Sequence, residues 1–242
     1  MKTLILKAGR DKSIKRHHPW IFSGGVQRVD GVPANGETVL VKSAEGKILA
    51  LAAWSPESQI RARVWSFDPG VTINKEFFAR KIKAALALRA SLPAARHTNA
   101  MRLVHGESDG LPGLVVDRYD DVLVAQFLSA GAEHWREAIL DALAGASGCE
   151  AIFERSDAEV RTLEGLAPKT GFARGNHQAR RCPIVEYGLN FRVDVEQGQK
   201  NRLLPRPARE PAARTCPGRG PRSAGRVLLH GRLCDRGARR RR

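Results

Sequence analysis

The composition of the chain changes abruptly after Lys200, and this change limits which residues can build a folded core. Residues 201–242 hold thirteen Arg, five Pro and five Gly, but no Phe, Tyr, Trp, Ile or Lys. A segment with so few large apolar side chains cannot bury enough surface to offset the entropy lost on ordering it. We therefore expect 201–242 to be a disordered basic tail and residues 1–200 to hold the folded part of the chain.

Length and composition allow one or two domains of ordinary size. No apolar run is long enough to span a bilayer, and the short apolar start is followed at once by charge, so we expect neither a membrane anchor nor a signal peptide. The four cysteines lack CxxC spacing and are too few for a disulfide framework, and the histidines form no metal-ligand set. A cytoplasmic protein with no bound metal and no membrane partner is the simplest interpretation.

The net charge of +16 is unevenly distributed along the chain. Thirteen Arg stand against two acids in the tail, eleven Lys and Arg against six acids in residues 1–70, and seventeen cations against seventeen acids in residues 71–200. The basic surplus of the folded part is therefore confined to its first third. This is where a nucleic-acid contact is expected.

Short strand patterns separated by Gly-bearing turns recur through the first part of the chain. They lie at residues 3–7, 37–42, 47–54 and 59–67. Between the first two, Pro19 and the pair Gly24-Gly25 predict a loop over 18–26. Short strands at this spacing indicate a small β-barrel or sandwich, which we assign to residues 1–72.

The last of these strands has cations and aromatic rings on one face. Alternation puts Arg61, Arg63, Trp65 and Phe67 together, a combination that suits RNA phosphates and stacked bases. The alternative is a solvated strand face on which Trp65 caps the barrel core, and spacing alone favours that alternative.

The basic run near the start of the chain is a better phosphate-binding candidate. It runs from Lys2 to Arg16 and holds six cations, among them Lys12, Lys15 and Arg16, against Asp11 as its one acid. A charge run of this kind is nevertheless more often a solvated surface.

Residues 73–200 read as an α+β domain. Asn74 is a plausible N-cap for a helix through about Leu92, a second amphipathic helix covers 131–144, and strand patterns fall within 102–119, 121–128 and 150–156. A hairpin over 184–195 would complete a strand-strand-helix-strand-strand unit. Three acidic residues suggest a carboxylate site, but turn chemistry and a strand end explain them better; they are Glu107, Asp109 and Asp117.

Four contiguous segments carry a resemblance to a known family. They are HPWIFSGGV (18–26), SQIRARVWSFD (58–68), GESDGLPGLVVDRYDDVLVAQFLSAGAE (106–133) and FERSDAEVRTLEGL (153–166). In this order they resemble a family of bacterial RNA methyltransferases, which use S-adenosylmethionine to methylate C5 of a cytosine in 23S ribosomal RNA. The resemblance covers about residues 1–200.

The resemblance implies a mixed α/β protein: an N-terminal PUA-like β-barrel (1–72), an α+β EEHEE domain ending in a β-hairpin (73–200), and then a Rossmann-like methyltransferase domain. Members of the family continue from a Gly-Gln-Lys step into a motif similar to T-G-F-Y-L-D-Q-R-E-N-R, and later carry a donor loop similar to F-C-Y-T-G-G-F-A. Here Gly198-Gln199-Lys200 is present, but the basic tail follows it. We therefore expect the Rossmann-like domain to be missing.

A change of reading frame explains the tail. When the last two bases of each codon are joined to the first base of the next, the codons from Asn201 onward permit T-G-F-Y-L-D-Q-R-E-N-R. In the same frame the stretch from His230 permits T-G-G-F-A-I, the loop that approaches the donor in a Rossmann-type site. Two motifs recovered in one frame indicate a frameshift after Lys200.

The resemblance also implies what this chain can no longer do. In the family, a cysteine thiolate of the catalytic domain is expected to attack C6 of the cytosine and activate C5. Cys149 and Cys182 lie before that domain and are expected to be buried thiols, while Cys216 and Cys234 arise from out-of-frame codons. We therefore assign no catalytic and no cofactor-binding residue, and expect no S-adenosylmethionine to bind and no methyltransferase activity.

RNA binding is the function expected to survive. By resemblance, the residues expected to contact 23S ribosomal RNA are Lys12, Lys15, Arg16, Trp20, Ser23, Gly24, Arg61 and Arg63. The first alternative is a stand-alone two-domain RNA-binding protein with a basic disordered tail and no enzymatic role. The second is an unrelated β-barrel interaction module, which the four motifs disfavour. The sequence is also compatible with a homodimer.

Overall fold

The computed structural model describes residues 1–176 and 181–196, together with the backbone of 204–205. The chain divides into the units Met1–Pro207 and Ala208–Arg242. The second unit lies outside the described residues, as do Gly198-Gln199-Lys200 and the predicted disorder of the tail.

The described part is a mixed α/β structure. Its strands are β1 (Thr3–Leu6), β2 (Trp20–Phe22), β3 (Val26–Asp30), β4 (Thr38–Lys42), β5 (Ile48–Trp54), β6 (Ile60–Ser66), β7 (Ala100–His105), β8 (Leu114–Tyr119), β9 (Val122–Phe127), β10 (Ala151–Ser156), β11 (Lys169–Arg174), β12 (Arg181–Glu186), β13 (Leu189–Asp194) and β14 (Leu204–Pro205). Its α-helices are α1 (Lys12–Lys15), α2 (Lys75–Ala90), α3 (Ala130–His134) and α4 (Arg136–Ser147).

The first six strands form a curled sheet in the order β2-β6-β5-β4-β1-β3. Only β1 and β4 run parallel; the other neighbours are antiparallel. Alternate residues of the strands point to one core, and Ile14 of the short helix α1 completes it. The buried members of this core are Leu4, Leu6, Ile14, Ile21, Val39, Val41, Ala50, Ala52, Ala62 and Val64.

Two expectations for this sheet were wrong. The predicted loop over 18–26 contains the strand β2, because Pro19 precedes that strand and the Gly24-Gly25 pair falls in the 3-10 turn after it. Trp65 is buried, but it does not cap the barrel core: its ring lies 5.1 Å from that of Phe78 in a second core. Both faces of β6 are covered, so neither is solvated as the alternative required.

The second core lies between two helices and a five-stranded sheet of order β11-β10-β9-β8-β7. Asn74 caps α2 as predicted, since its side chain accepts a hydrogen bond from the backbone N–H of Phe77 at 2.9 Å. The predicted second helix is divided at Trp135 into α3 and α4. The largest fully buried aliphatic side chains that the helices contribute to this core are Ile82, Ile139, Leu140 and Leu143.

The hairpin β12–β13 covers the other face of this sheet. It turns through Tyr187 and Gly188, both at positive φ (47° and 80°), as two-residue hairpin loops favour. Its inner residues pack against the five-stranded sheet; they are Cys182, Ile184, Val193 and Val195, and they contact Val122, Val124 and Phe153.

The prediction that the hairpin completes the central unit was therefore wrong. The last strand of the central sheet is β11, which pairs antiparallel with β10, while β9 and β10 run parallel. The hairpin belongs to a separate three-stranded sheet with β14. Sequence pattern missed β11 because it is an edge strand interrupted by Gly171.

No helix within the described residues is long and apolar enough to cross a membrane.

Gly131 of α3 lies so close to the curled sheet that any larger residue would collide there. A Cβ atom at this position would lie 2.3 Å from Cβ of Ala53 and 2.8 Å from Cζ2 of Trp65. We expect Gly131→Ala to lower the free energy of unfolding by about 1–3 kcal/mol because a packed interface must move. Chemical denaturation measures this change.

Gly145→Ala is the matched control, because it alters a helical glycine whose Cβ would meet nothing within 4 Å. Alanine's higher helix propensity should raise stability there by about 0.5–1 kcal/mol. Equal stability of the two variants would refute the close contact at Gly131.

Candidate nucleic-acid interface

A cleft of about 210 Å³ opens between α1 and the segment that holds β2 and its following turn. Ile14 fixes α1 by its side chain in the curled-sheet core, and Ile21 fixes β2 in the same way. The cleft is lined by Leu6, Arg10, Ser13, Ile14, Trp20, Ile21, Phe22, Gly24 and Gly25.

An exposed aromatic ring and an exposed cation both line this cleft. Phe22 is 52% exposed, unusual for a ring this large, and it meets the Trp20 ring edge-on at 6.3 Å. Arg10 is exposed and has no ion-pair partner within the described part of the chain. An exposed ring beside a free guanidinium suits a stacked base next to a phosphate.

Arg10 belongs to the predicted basic run, but neither it nor Phe22 was among the individual residues expected to contact RNA. Phe22 stands inside the first of the four quoted segments, next to the turn that carries Gly24. The signal available was a run of apolar and aromatic residues ending at two glycines. What the sequence could not give is which of those side chains faces solvent.

The predicted cations of α1 lie near this cleft but do not line it. Lys12 and Arg16 are exposed and unpaired within the described residues, whereas Lys15 forms an ion pair with Asp11. The hydrogen bond between them lowers the pKa of the Asp11 carboxyl and raises the pKa of the Lys15 ammonium. Lys12 and Arg16 therefore offer free charge, while that of Lys15 is partly neutralised.

The turn after β2 holds two more predicted residues. Ser23 donates a hydrogen bond from its hydroxyl to Oε1 of Gln59 at 3.0 Å. Because Gln59 directly precedes β6, this bond connects the turn to that strand. Gly24 is exposed and has open space around it. Its backbone is therefore accessible from the cleft.

Arg63 is placed differently from the prediction. Its side chain is buried, and its guanidinium donates to Glu164 at 3.0 Å and to Glu107 at 3.2 Å. These two carboxylates satisfy the charge inside the protein, so Arg63 is not available to an RNA phosphate. The other strand cation, Arg61, is half-buried, with its guanidinium 5.7 Å from the ring of Trp54.

Trp20 links the cleft to this buried ion pair. Its indole N–H donates to Oε1 of Glu107 at 2.8 Å, and the guanidinium of Arg63 lies 5.6 Å from its ring. Glu164 in turn accepts the backbone N–H of Ala130, at the start of α3, at 3.1 Å. One wall of the cleft is thus hydrogen-bonded to the part of the structure built on the five-stranded sheet.

The predicted structural role of the acidic residues is confirmed. Both oxygens of Asp109 accept hydrogen bonds from Arg89 (2.6 and 2.8 Å), and both oxygens of Asp117 accept from Arg102 (2.8 and 3.1 Å). Glu107 is held by Trp20 and Arg63. None of them forms a group that could hold a metal, since the described residues contain no such cluster.

The two cysteines of the described part are not activated nucleophiles. Cys182 is buried, as predicted, and burial raises the pKa of its thiol to about 11. Cys149 is only half-buried, and burial again raises its pKa. Because the thiolate is the reactive form, both are poor nucleophiles at neutral pH. Cys216 and Cys234 lie outside the described residues.

Comparison with known proteins connects these features to a family. Residues 4–67 match a family described as a PUA-like domain. The chain is 48% identical over 195 residues to Ribosomal RNA large subunit methyltransferase I of Shewanella amazonensis, covering 81% of this chain and 49% of that protein. It is 47% identical over 197 residues to the protein of the same name from Erwinia tasmaniensis, covering 81% and 50%.

Solved structures agree in fold. A protein of Streptococcus mutans described as a SAM-dependent methyltransferase superposes with a TM-score of 0.67 at 18% identity, covering 82% of this chain and 50% of its own. A second methyltransferase structure, complexed with SAH, gives a TM-score of 0.68, also at 18% identity and covering 82% and 49%. The chain spans about half the length of the curated relatives it matches.

The buried ion pair between Arg63 and Glu164 leads to a prediction about stability. We expect Arg63→Leu to lower the free energy of unfolding by about 3–5 kcal/mol, because it leaves the Glu164 carboxylate buried without its cation. Arg61→Leu, on the same strand and next to solvent, should change stability by less than about 1 kcal/mol. Urea titration of both variants measures the difference.

Adding Glu164→Gln to Arg63→Leu should recover part of the loss, because the orphaned negative charge is removed. Additive losses in that double-mutant cycle would show that the two side chains are not coupled.

Proposed function

We propose that this chain, a relative of the Ribosomal RNA large subunit methyltransferase I proteins over 81% of its length, carries the RNA-binding part of a 23S ribosomal RNA methyltransferase. The reaction of the intact enzyme would be transfer of a methyl group from S-adenosylmethionine to C5 of a cytosine. In this proposal residues 1–72 form the RNA-binding domain and 73–200 the central domain, in the cytoplasm.

The observation that carries the proposal is the cleft beside α1. It combines the exposed ring of Phe22, the free guanidinium of Arg10 and the open backbone at Gly24. Structured RNA is recognised by shape, by stacking of unpaired bases and by phosphate contacts, and this cleft offers a group for each. Lys12 and Arg16 extend the positive surface away from it.

The methyl donor does not fit the described residues. Their one parallel strand–helix–strand crossover runs from β9 through α3 and α4 to β10, and a Rossmann-type site would use the turn after its first strand. That turn is filled by the protein itself: the Glu164 carboxylate accepts the N–H of Ala130, and Gly131 is pressed against Ala53 and Trp65. We therefore derive no catalytic step from these residues.

We further propose that the frame changes after Lys200 and that this polypeptide is inactive as a methyltransferase. Support comes from the two donor-domain motifs recovered in one alternative frame, and from the absence of an activated thiol among the described cysteines.

A stand-alone RNA-binding protein is the alternative function. It is favoured by the hairpin, whose inner residues Cys182, Ile184 and Val193 cover the second face of the central sheet. That sheet accordingly has both faces packed without any later part of the chain. Whether the protein acts as a homodimer is a separate question that size-exclusion chromatography with light scattering answers.

RNA binding is tested by removing the exposed ring of the cleft. We expect Phe22→Ala in the full chain to weaken binding of a 23S ribosomal RNA fragment by about five- to one-hundred-fold, because a base loses its stacking partner. Fluorescence anisotropy at fixed salt measures the affinity. Val32→Ala, which removes an apolar side chain that is 87% exposed elsewhere in the same domain, should leave it unchanged.

Equal affinities of the Phe22→Ala and Val32→Ala variants would exclude the cleft as the RNA site. A variant in which Lys12, Lys15 and Arg16 are all replaced by Gln tests the α1 cations separately. An unchanged affinity for that variant would remove these three residues from the proposed surface.

The frame proposal is tested by deleting the first base of the Asn201 codon. We expect the unaltered chain to transfer no radiolabelled methyl group to unmodified 23S ribosomal RNA, and the frame-restored product, read to its own stop codon, to transfer it. Deletion of two bases at the same place is the control and should give no activity. Methylation by the unaltered chain would overturn the proposal, as would an in-frame genomic read without the recoverable T-G-G-F.

A further inference from the structure

The exposed face of α2 carries a second concentration of positive charge, on an element that contributes no residue to the lining of the cleft. Three exposed cations lie on this helix, and the one acid within it is Glu76. At 3.6 residues per turn they fall within an arc of about 140°. They are Lys75, Arg80 and Lys83, which we call the α2 basic face.

These cations are not neutralised inside the protein. None of the three has an ion pair within residues 1–176 and 181–196. The neighbouring helix α4 exposes Glu137 and Asp141, but both are held by Arg174, at 2.7 and 2.9 Å. Farther along α2, Arg89 is paired with Asp109, so it does not belong to the α2 basic face.

The arrangement does not serve the stability of the helix. Lys75 is the first residue of α2, where the helix dipole favours a negative charge. Arg80 and Lys83 are three residues apart on one face, and like charges at that spacing repel. The one acid of the first turn, Glu76, stands four residues before Arg80, but the two side chains form no ion pair in the described structure.

The other exposed residues of this arc are mostly small. They are Ala79, Ala87 and Ala90, together with the one acid Glu76, which forms no ion pair in the described structure. Lysine and arginine on an open helix face match a regularly spaced polyanion better than a single small anion, since all three cations are exposed.

We propose that the α2 basic face contacts the phosphate backbone of structured RNA, as a surface additional to the cleft beside α1. The inference rests on the proposed RNA-binding function and extends it to the central part of the chain. The contacts would be electrostatic and independent of base identity, so they would set affinity and orientation, while the cleft reads the bases.

The experiment compares how binding depends on salt. In the full chain, Lys75→Gln, Arg80→Gln and Lys83→Gln are combined, and the affinity for a 23S ribosomal RNA fragment is measured at several salt concentrations. Each lost phosphate contact lowers the slope of log affinity against log salt by about 0.7–0.9. We therefore expect the slope to fall by about 2, with a loss of affinity of ten- to one-hundred-fold near 0.15 M salt.

The matched control removes the same charge elsewhere, by Lys42→Gln, Lys47→Gln and Arg192→Gln, at positions without ion pairs in the described structure. Its slope should fall by less than about 1. Circular dichroism and thermal melting verify that both variants fold. Equal slopes for the two triple variants would overturn the α2 contact even if the Phe22→Ala variant still loses affinity.

A peptide of residues 201–242 separates this inference from the proposed function itself. If the peptide alone binds the RNA as tightly and with the same slope as the full chain, the folded part is not used and the proposed function fails. If the full chain binds more tightly and Phe22→Ala weakens it, the function stands, and the α2 variant decides the further inference.

Discussion

The buried ion pair between Arg63 and Glu164 is the interaction on which the arrangement of the two large sheets depends. Two charges can be buried only when each finds a partner, and here the pair brings β6 of the curled sheet to the segment that follows β10. Glu164 also accepts the first N–H of α3, and its backbone carbonyl accepts from the side chain of Asn35 at 3.0 Å. Loss of Arg63 would therefore leave the Glu164 carboxylate buried without its cation.

This connection gives the candidate RNA site a fixed orientation. Trp20 forms one wall of the cleft and is also hydrogen-bonded to Glu107, which belongs to the central part of the structure. The close approach of Gly131 to Ala53 and Trp65 is a second contact between α3 and the curled sheet.

Much of the local structure could be predicted from the sequence. The cap at Asn74, the short strands of the first domain and the hairpin turn at Gly188 follow from residue types and spacing, and each is present. The edge strand β11 was missed because an edge strand needs apolar residues on one face at most. The break between α3 and α4 at Trp135 was missed because a helix break can be set by tertiary packing. In the candidate site, Lys12, Trp20 and Gly24 came from the sequence and Phe22 did not.

The sequence by itself determined the resemblance to the RNA methyltransferases, the strand alternation and the break in composition after Lys200, since each of these depends on local residue order. Only the tertiary structure decided what each face of β6 meets. Alternation put Arg63 and Trp65 on one face correctly, but a period of two cannot say whether that face is covered by solvent, RNA or protein. Here residues from later in the chain cover that face. Glu164 pairs with the guanidinium of Arg63, and Phe78 packs against the indole of Trp65. A buried charge and a large buried ring both need such partners, and these lie far away in the chain.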